Sequence, residues 1–359
     1  MKNHNYAVIM AGGVGSRFWP VSKQSNPKQF QDILGSGKTL IQNTFNRLNR
    51  FIPAENILVL TNAIYKDIVM EQLPEISSSQ VVLEPIMRNT APCILLAAMK
   101  IHKMDPDARM LVAPSDHWIQ EEDLFEQDMC IAFEEAEKGE RLITFGIKPH
   151  FPNTGYGYIQ YDHKKTEQVY DVQRFTEKPD FQTAQSFLNQ GNYLWNSGIF
   201  VWKAQTILNK FEKLLPDMFR LFKIGQEFYN KPHETNFLRS HYQYAENISI
   251  DYAIIENSEE VMVIPASFSW NDLGTWCSLE DELPGDAESN TVVNSRFIPV
   301  EATGNIIRTE SNKVVLVDGL KDYMILENDE VLLIVPKEKE QQIKNIRNEV
   351  IERYGVQFA

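Results

Sequence analysis

The stretch from Tyr6 to Ala11 reads Tyr-Ala-Val-Ile-Met-Ala and runs without a polar break into Gly12, Gly13, Val14, Gly15, Ser16 and Arg17. A short apolar run bounded by glycines is the pattern of a strand covered on both faces, as in the parallel sheets of α/β folds. The glycines tolerate positive φ and carry no Cβ, so successive backbone N–H groups can converge on an anion while Arg17 adds a bidentate charge. The chain thus opens as an α/β domain with an anion cradle after its first strand, an ordinary strand-to-loop turn being the alternative.

The spacing excludes two common phosphate loops. In the dinucleotide fingerprint G-x-G-x-x-G, with Gly13 and Gly15 as its first two glycines, a third would follow Arg17, where this chain has Phe18. In a Walker A loop, Gly37-Lys38-Thr39 would need a glycine where Asp32 stands. The loop continues instead through Trp19 and Pro20 to Pro27-Lys28-Gln29-Phe30, which brings a second cation, Lys28, to the same site.

Apolar runs at Tyr6 to Met10, Ile57 to Leu60, Gln80 to Leu83, Met110 to Ala113 and Leu142 to Gly146 alternate with helical periodicity over the first 150 residues. Alternation of this kind predicts βαβ units, hence a Rossmann-like mixed, mostly parallel sheet with helices on both faces. Thr90-Ala91-Pro92 offers a helix start, with Thr90 as cap, and a helix around Phe125 to Lys138 stops at Gly139. Further strands are expected at Tyr156 to Tyr161, Tyr170 to Phe175 and Gly198 to Trp202, with helices near 181–190, 204–214 and 217–229. The polar, turn-rich stretch Asp281 to Asn290 suggests a boundary, with domains at 1–283 and 284–359. Beyond it come short β runs and an amphipathic helix from Lys337 to Tyr354.

Glu84, Asp116 and the glycine loop all follow strands, the place where open α/β sheets hold ligands. A net charge of −14 with no run of basic residues disfavours nucleic acid and anionic membrane surfaces as partners. Cys93, Cys130 and Cys277 lack paired spacing, so neither disulfides nor a zinc site is expected. With 359 residues and no apolar stretch of spanning length, the chain reads as a cytoplasmic protein of one large domain and an appendage.

The string Ala11 to Pro20 with Pro27 to Phe30 resembles the signature of the sugar-1-phosphate nucleotidylyltransferases. Its Trp-Pro and Pro-Lys-Gln-Phe parts are most similar to the mannose-1-phosphate guanylyltransferase branch. Glu84-Pro85 followed by Arg88-Asn89-Thr90-Ala91-Pro92 resembles that branch as well. So do three later motifs in order: Asn153 to Tyr158, Phe175 to Pro179 and Tyr193 to Phe200. The resemblance implies the nucleotide-diphospho-sugar transferase type of sheet and, after it, a short left-handed β-helix; rung spacing alone leaves a β-sandwich open.

On that resemblance Arg17 and Lys28 hold the β- and γ-phosphates of a nucleoside triphosphate, with Ala11, Gly12, Gly13, Gly15, Ser16 and Asn89 around the nucleotide. Glu84 accepts from guanine N1–H and the exocyclic amine. Asp116 and Asp272 hold Mg²⁺, an ion satisfied by one or two carboxylates plus substrate phosphates. Gly155, Tyr156, Gly157, Glu177, Lys178 and Asn196 take the sugar phosphate. A helix cap for Asp116, a surface turn for Asp272 and loop capping for Glu84 stay open as plain structural roles, and Asp251 reads first as helix N-terminal charge.

The resemblance implies GTP and mannose 1-phosphate as substrates and GDP-mannose and pyrophosphate as products; some larger relatives carry a fused isomerase domain, which a chain of this length is expected to lack. A homodimer through the C-terminal region is also expected. Another hexose phosphate or base, a catalytically silent sugar-nucleotide sensor and a nicotinamide-dependent oxidoreductase are the competing readings.

Overall fold

The computed structural model describes residues 3–13, 15–162, 164, 167–310 and 312–359. Val14 of the glycine loop lies outside them. The chain divides into two compact units, one of residues 1–12, 45–115 and 119–270 and the other of residues 13–44, 116–118 and 271–359. No helix among the described residues is long and apolar enough to cross a membrane.

The first unit is built on β1 (Asn5–Met10), β2 (Ile57–Asn62), β3 (Val81–Glu84), β4 (Arg109–Pro114), β5 (Leu142–Ile147), β6 (Tyr158–Tyr161), β7 (Tyr170–Thr176), β8 (Tyr193–Lys203) and β9 (Val261–Pro265). Among the described residues these form a nine-stranded sheet in the order β3-β2-β1-β4-β8-β5-β9-β7-β6. Strands β3, β2, β1 and β4 run parallel, in the register Ala7 beside Ile57 and Val8 beside Val112. Strand β8 is antiparallel to both β4 and β5, and β7 is antiparallel to β9 and β6. The sheet is therefore mixed: the parallel part expected from the first 150 residues is present, and β8, 11 residues long, enters it reversed.

The interiors of β1, β2 and β4 are buried, as their unbroken Val, Ile and Leu content requires. The helix Thr90–Met104 is buried from Ala91 to Ile101, so it is apolar nearly all round rather than striped. Its cap is Asn89 and not Thr90: Asn89 sits at φ 65° and its side chain accepts from Thr90 N at 2.9 Å, while Thr90 Oγ1 accepts from Ile250 N at 2.8 Å. Both residues are good caps, and the long-range bond to Ile250 decides between them. The expected helix at 217–229 is helical only over Pro216–Lys223. Gly225 follows, where an added Cβ would come within 2.2 Å of the Phe237 ring, so a turn with close packing replaces further helix.

The second unit contains β10 (Thr291–Val293), β11 (Arg296–Val300), β12 (Ile306–Arg308), β13 (Val314–Asp318), β14 (Tyr323–Glu327) and β15 (Leu332–Pro336), then the helix Ile343–Tyr354. Strands β10, β12 and β14 pair in parallel, β11 pairs with β13 in parallel, and β15 closes the first group antiparallel to β14. Its core gathers Phe18, Trp19, Ile33, Leu273, Trp276, Ile306, Met324 and Ile343, so the loop after the glycines, the turn at 271–279 and the C-terminal helix share one apolar centre. Phe18 and Trp276 touch with ring centroids 4.7 Å apart. Each such fully buried aliphatic or aromatic side chain contributes roughly 1.5–3 kcal/mol, which fixes the polar loops between them.

Candidate active site

In the second unit the glycine loop turns at Gly15, which has φ +62°. A Cβ there would stand 2.6 Å from Lys28 Cβ, so only glycine lets the loop cross the following segment. Gln29 donates to the Gly13 carbonyl at 2.8 Å and ties that segment back to the loop. Lys28 itself is 3% exposed. Its ammonium donates to Asp116 Oδ2 at 3.0 Å and to the Asp272 carbonyl oxygen at 2.9 Å, and lies 5.1 Å above the Phe18 ring.

Lys28 thus joins the two aspartates that the sequence places far apart, meeting Asp116 through its carboxylate and Asp272 through its main chain. Burial pushes the Asp116 carboxyl up, but the Lys28 ammonium beside it, with help from His117, outweighs this and holds it below the usual carboxylate value. Asp116 is therefore an anion at neutral pH. Asp272 Oδ1 accepts from Gly274 N at 3.0 Å in a tight turn, where a Cβ on Gly274 would lie 2.8 Å from Asp272 Oδ2. Between them Leu273 adopts φ 45° with its side chain fully buried. Such a conformation costs of order 1–3 kcal/mol and persists because the core around Trp276 holds it.

Arg17, Lys28, Asp116 and Asp272 line one cleft of about 500 Å³ together with Gly15 and Ser16. Glu340, Gln341 and Lys344 complete its wall, and nothing in the sequence pattern of the C-terminal segment pointed there. Glu340 is placed by accepting from Cys277 N at 2.7 Å. The cleft pairs cations suited to phosphate with hard carboxylate oxygens suited to a cation such as Mg²⁺ or Ca²⁺.

In the first unit Ala11 is fixed to β2, donating from N to Leu60 O at 2.8 Å and accepting from Thr61 Oγ1 at 2.8 Å. Glu84 ends β3 and is 5% exposed. Its Oε1 accepts from the Tyr242 phenol, and its Oε2 lies 3.8 Å from where a Cβ of Gly12 would stand. Burial pushes the Glu84 carboxyl up to about 7 against the pull of the Tyr242 hydrogen bond. Asn89 spends its side-chain oxygen on the helix cap described above.

A second cluster of the same unit gathers Gly157, Glu177, Lys178 and Asn196. A Cβ on Gly157 would lie 2.5 Å from Glu177 Oε2 and 3.0 Å from the Phe175 ring, so a larger residue there would displace the Glu177 carboxylate. Gly157 O accepts from Asn196 N at 2.8 Å, and Lys178 N donates to Tyr156 O at 3.2 Å. Glu177 and Lys178 form an ion pair, with Lys178 at φ 45°. Burial lowers the Lys178 ammonium, but Glu177 raises it further, so it stays charged. Gly155 donates to Asn153 Oδ1 at 2.7 Å, and the Tyr156 ring meets Trp195 and Trp270 edge-on.

Asn196 is oriented from both ends: Oδ1 accepts from Thr144 Oγ1 at 2.8 Å and Nδ2 donates to Asp251 Oδ1 at 2.9 Å. Asp251 is thus more than N-terminal helix charge. Residues Asp251–Ile255 form one π-turn, and its carboxyl is pushed up to about 7 by burial and by Glu177, against Lys178 and Asn196. The sequence reads Asp251 as helix N-terminal charge and does not show that it is wired to Asn196.

Among the described residues His4, Asp105 and Asp107 also offer three ligand atoms within 4.8 Å of one another. They lie where β1 and β4 begin, away from the strand ends that carry ligands in open sheets. His4 Nδ1 bonds Asp105 Oδ2 at 2.9 Å and Asp105 Oδ1 takes the Asp107 N–H, an arrangement that orders the turn before β4.

The nucleotidyl transferase family model matches residues 6–289. The chain is 35% identical over 356 residues to a mannose-1-phosphate guanylyltransferase of Escherichia coli (strain K12), covering 96% of this chain and 73% of that protein. It is 36% identical over 346 residues to the alginate biosynthesis protein AlgA of Pseudomonas aeruginosa, covering 94% and 70%. Among solved structures, the mannose-1-phosphate geranyltransferase of Thermus thermophilus superposes with a TM-score of 0.88 at 28% identity, over 97% of this chain and 99% of that one.

Proposed function

Since the chain belongs to the nucleotidyl transferase family, we propose that it transfers GMP from GTP to α-D-mannose 1-phosphate, releasing pyrophosphate and forming GDP-mannose. The observation that carries this reading is Lys28, held between the Asp116 carboxylate and the Asp272 carbonyl in the cleft that Arg17 enters. Such a site supplies positive charge for a triphosphate beside oxygen ligands for its counter-ion.

A phosphate oxygen of mannose 1-phosphate attacks the α-phosphorus of GTP in line. The new P–O bond forms as the bond to the β-phosphate oxygen breaks, and pyrophosphate carries the electron pair away. The nucleophile is already ionised near neutral pH, so no general base and no covalent enzyme intermediate are needed. Arg17 binds the departing phosphates through its fork of donors, and Lys28, with two of its three N–H groups on protein acceptors, has one left for the same oxygens. Lys178 holds the sugar phosphate, while Glu177, Asn196 and the backbone around Gly155 and Gly157 take the sugar hydroxyls. Glu84 reads the guanine, with Ala11, Gly12, Gly13, Ser16 and Asn89 around the nucleotide.

Asp116 and Asp272 fit Mg²⁺ by donor chemistry: both are hard oxygen donors, and Lys28 occupies only Oδ2 of Asp116, leaving Oδ1. When bound there the ion would neutralise phosphate charge. The test is pyrophosphate release from GTP, ATP, UTP and CTP, each with mannose, glucose and galactose 1-phosphates. The expected result is at least tenfold higher kcat/KM for GTP with mannose 1-phosphate, and comparable turnover of any other pair overturns the assignment.

Residues 284–359 are assigned to a short left-handed β-helix with a terminal helix, appended to a catalytic domain of residues 1–283. The parallel pairings of β10, β12 and β14 and of β11 with β13 support a coiled rather than a sandwiched arrangement. The same segment carries the proposed homodimer contact: Ile298, Val300, Val314 and Leu316 are 39–63% exposed on neighbouring strands. Light scattering at micromolar concentration should give twice the chain mass; a monomer mass removes the dimer.

A further inference from the structure

We propose that Tyr242 is a positioning residue for guanine recognition: its phenol holds one carboxylate oxygen of Glu84 so that the other is presented toward Gly12 to accept from the base. This rests on the reading that Glu84 reads guanine. Tyr242 lies far from every motif of the sequence analysis, in the aromatic stretch after the helix Glu234–His241, and nothing in its spacing marks it.

The geometry is specific. Glu84 is almost wholly buried at the end of β3, and a carboxylate taken from water needs donors to remain charged. Tyr242, 1% exposed, donates to Oε1 alone, leaving Oε2 on the side of Gly12, whose missing side chain opens that approach. The phenol is itself held by packing: its ring meets Phe222 edge-on at 5.5 Å. The preceding helix is pinned to the helix Thr90–Met104 by the buried Lys100–Glu234 ion pair. Guanine offers N1–H and an exocyclic N–H on its Watson–Crick edge, so an ionised carboxylate held in one orientation accepts from it. Adenine presents a lone pair at N1 and would face that carboxylate with repulsion.

Among the described residues the titratable groups coupled to Glu84 are Tyr242 and Cys93. Burial, with the Glu84 charge adding to it, raises both the phenol and the thiol, so both stay neutral. The charge that matters is then that of Glu84, which burial raises to about 7 and the Tyr242 hydrogen bond draws down. The ionised form is present above that value and is lost as the pH falls through it. Removing the phenol oxygen raises the value further, so guanine binding fails at a higher pH than in the parent.

The experiment compares the full chain with Tyr242→Phe and Glu84→Gln, measuring KM and kcat for GTP and for inosine triphosphate, which lacks the exocyclic amine, from pH 6 to 9. For Tyr242→Phe the expected result at pH 7 is a GTP KM raised about tenfold with kcat within about twofold, recovering toward the parent value by pH 9. Its advantage of GTP over inosine triphosphate should shrink at pH 7 and return on the alkaline side. Glu84→Gln should lose the same advantage with no recovery at any pH. A Tyr242→Phe protein whose KM profile overlays the parent's overturns the positioning role while leaving Glu84 in place. A Glu84→Gln protein that keeps its preference for GTP overturns the base-reading assignment itself, and this proposal with it. Should Tyr242→Phe fail to fold, the parent decides: a GTP KM that rises as the pH falls from 8 to 6, with the inosine triphosphate KM rising less, supports the proposal, and parallel profiles overturn it.

Discussion

Arg17→Ala lowers kcat/KM for pyrophosphate release by about 10³-fold, roughly 4 kcal/mol of transition-state stabilisation, while the melting temperature moves by no more than about 1 °C. Arg17 is exposed in the wall of the cleft and, among the described residues, makes no hydrogen bond or ion pair that its loss would break. Its backbone is placed without it, by the Gly15 turn and the buried Phe18 that follows. The side chain therefore owes its position to function more than to folding. Negative charge grows on the departing phosphates as the bond breaks, so the loss should fall more on kcat than on KM. Arg17→Lys should recover only part of the rate, because an ammonium cannot bind two phosphate oxygens in the plane of a fork. Activity of Arg17→Ala within tenfold of the parent would remove Arg17 from the chemistry.

The same loop shows why this part of the site is legible in sequence. Gly15 must be glycine for its φ and for the 2.6 Å approach of Lys28, and Gln29 must carry an amide to reach Gly13 O, so local geometry is written into residue type. Strands β1, β3 and β4 are legible for a similar reason, as buried runs with sharp ends. The reversal of β8 is not, because a run buried on both faces has no polar alternation and encodes no direction. The choice of Asn89 over Thr90 as cap depends on Ile250, and the end of the helix at Lys223 depends on Phe237, both distant in the chain. Tyr242, Asp251 and Lys344 enter their clusters only through tertiary packing, so composition and spacing carry no trace of their roles.

Asp116→Asn and Asp272→Asn should each cut turnover by about 10²–10³-fold and raise the Mg²⁺ concentration for half-maximal rate, since a ligand to the ion is worth several kcal/mol. Removal of divalent ions by EDTA should stop both the parent and the residual reaction. The two variants should part company in stability. Lys28 is buried, and its ammonium is balanced by the Asp116 carboxylate, itself about a third exposed. Neutralising that carboxylate leaves the ammonium without a counter-charge, a cost of about 1–2 kcal/mol after solvent screening, and a fall of a few degrees in melting temperature. Asp272 meets Lys28 through its carbonyl, and a side-chain amide at that position can still accept from Gly274 N, so Asp272→Asn leaves both of these bonds in place and should lose less stability than Asp116→Asn. Calorimetry on both proteins beside Mg²⁺-dependent rates separates the roles: the carboxylate of Asp116 also balances the buried Lys28 ammonium, a charge that Asp272 meets only through its main chain. Full activity in either variant at low Mg²⁺ would show that its carboxylate holds no ion.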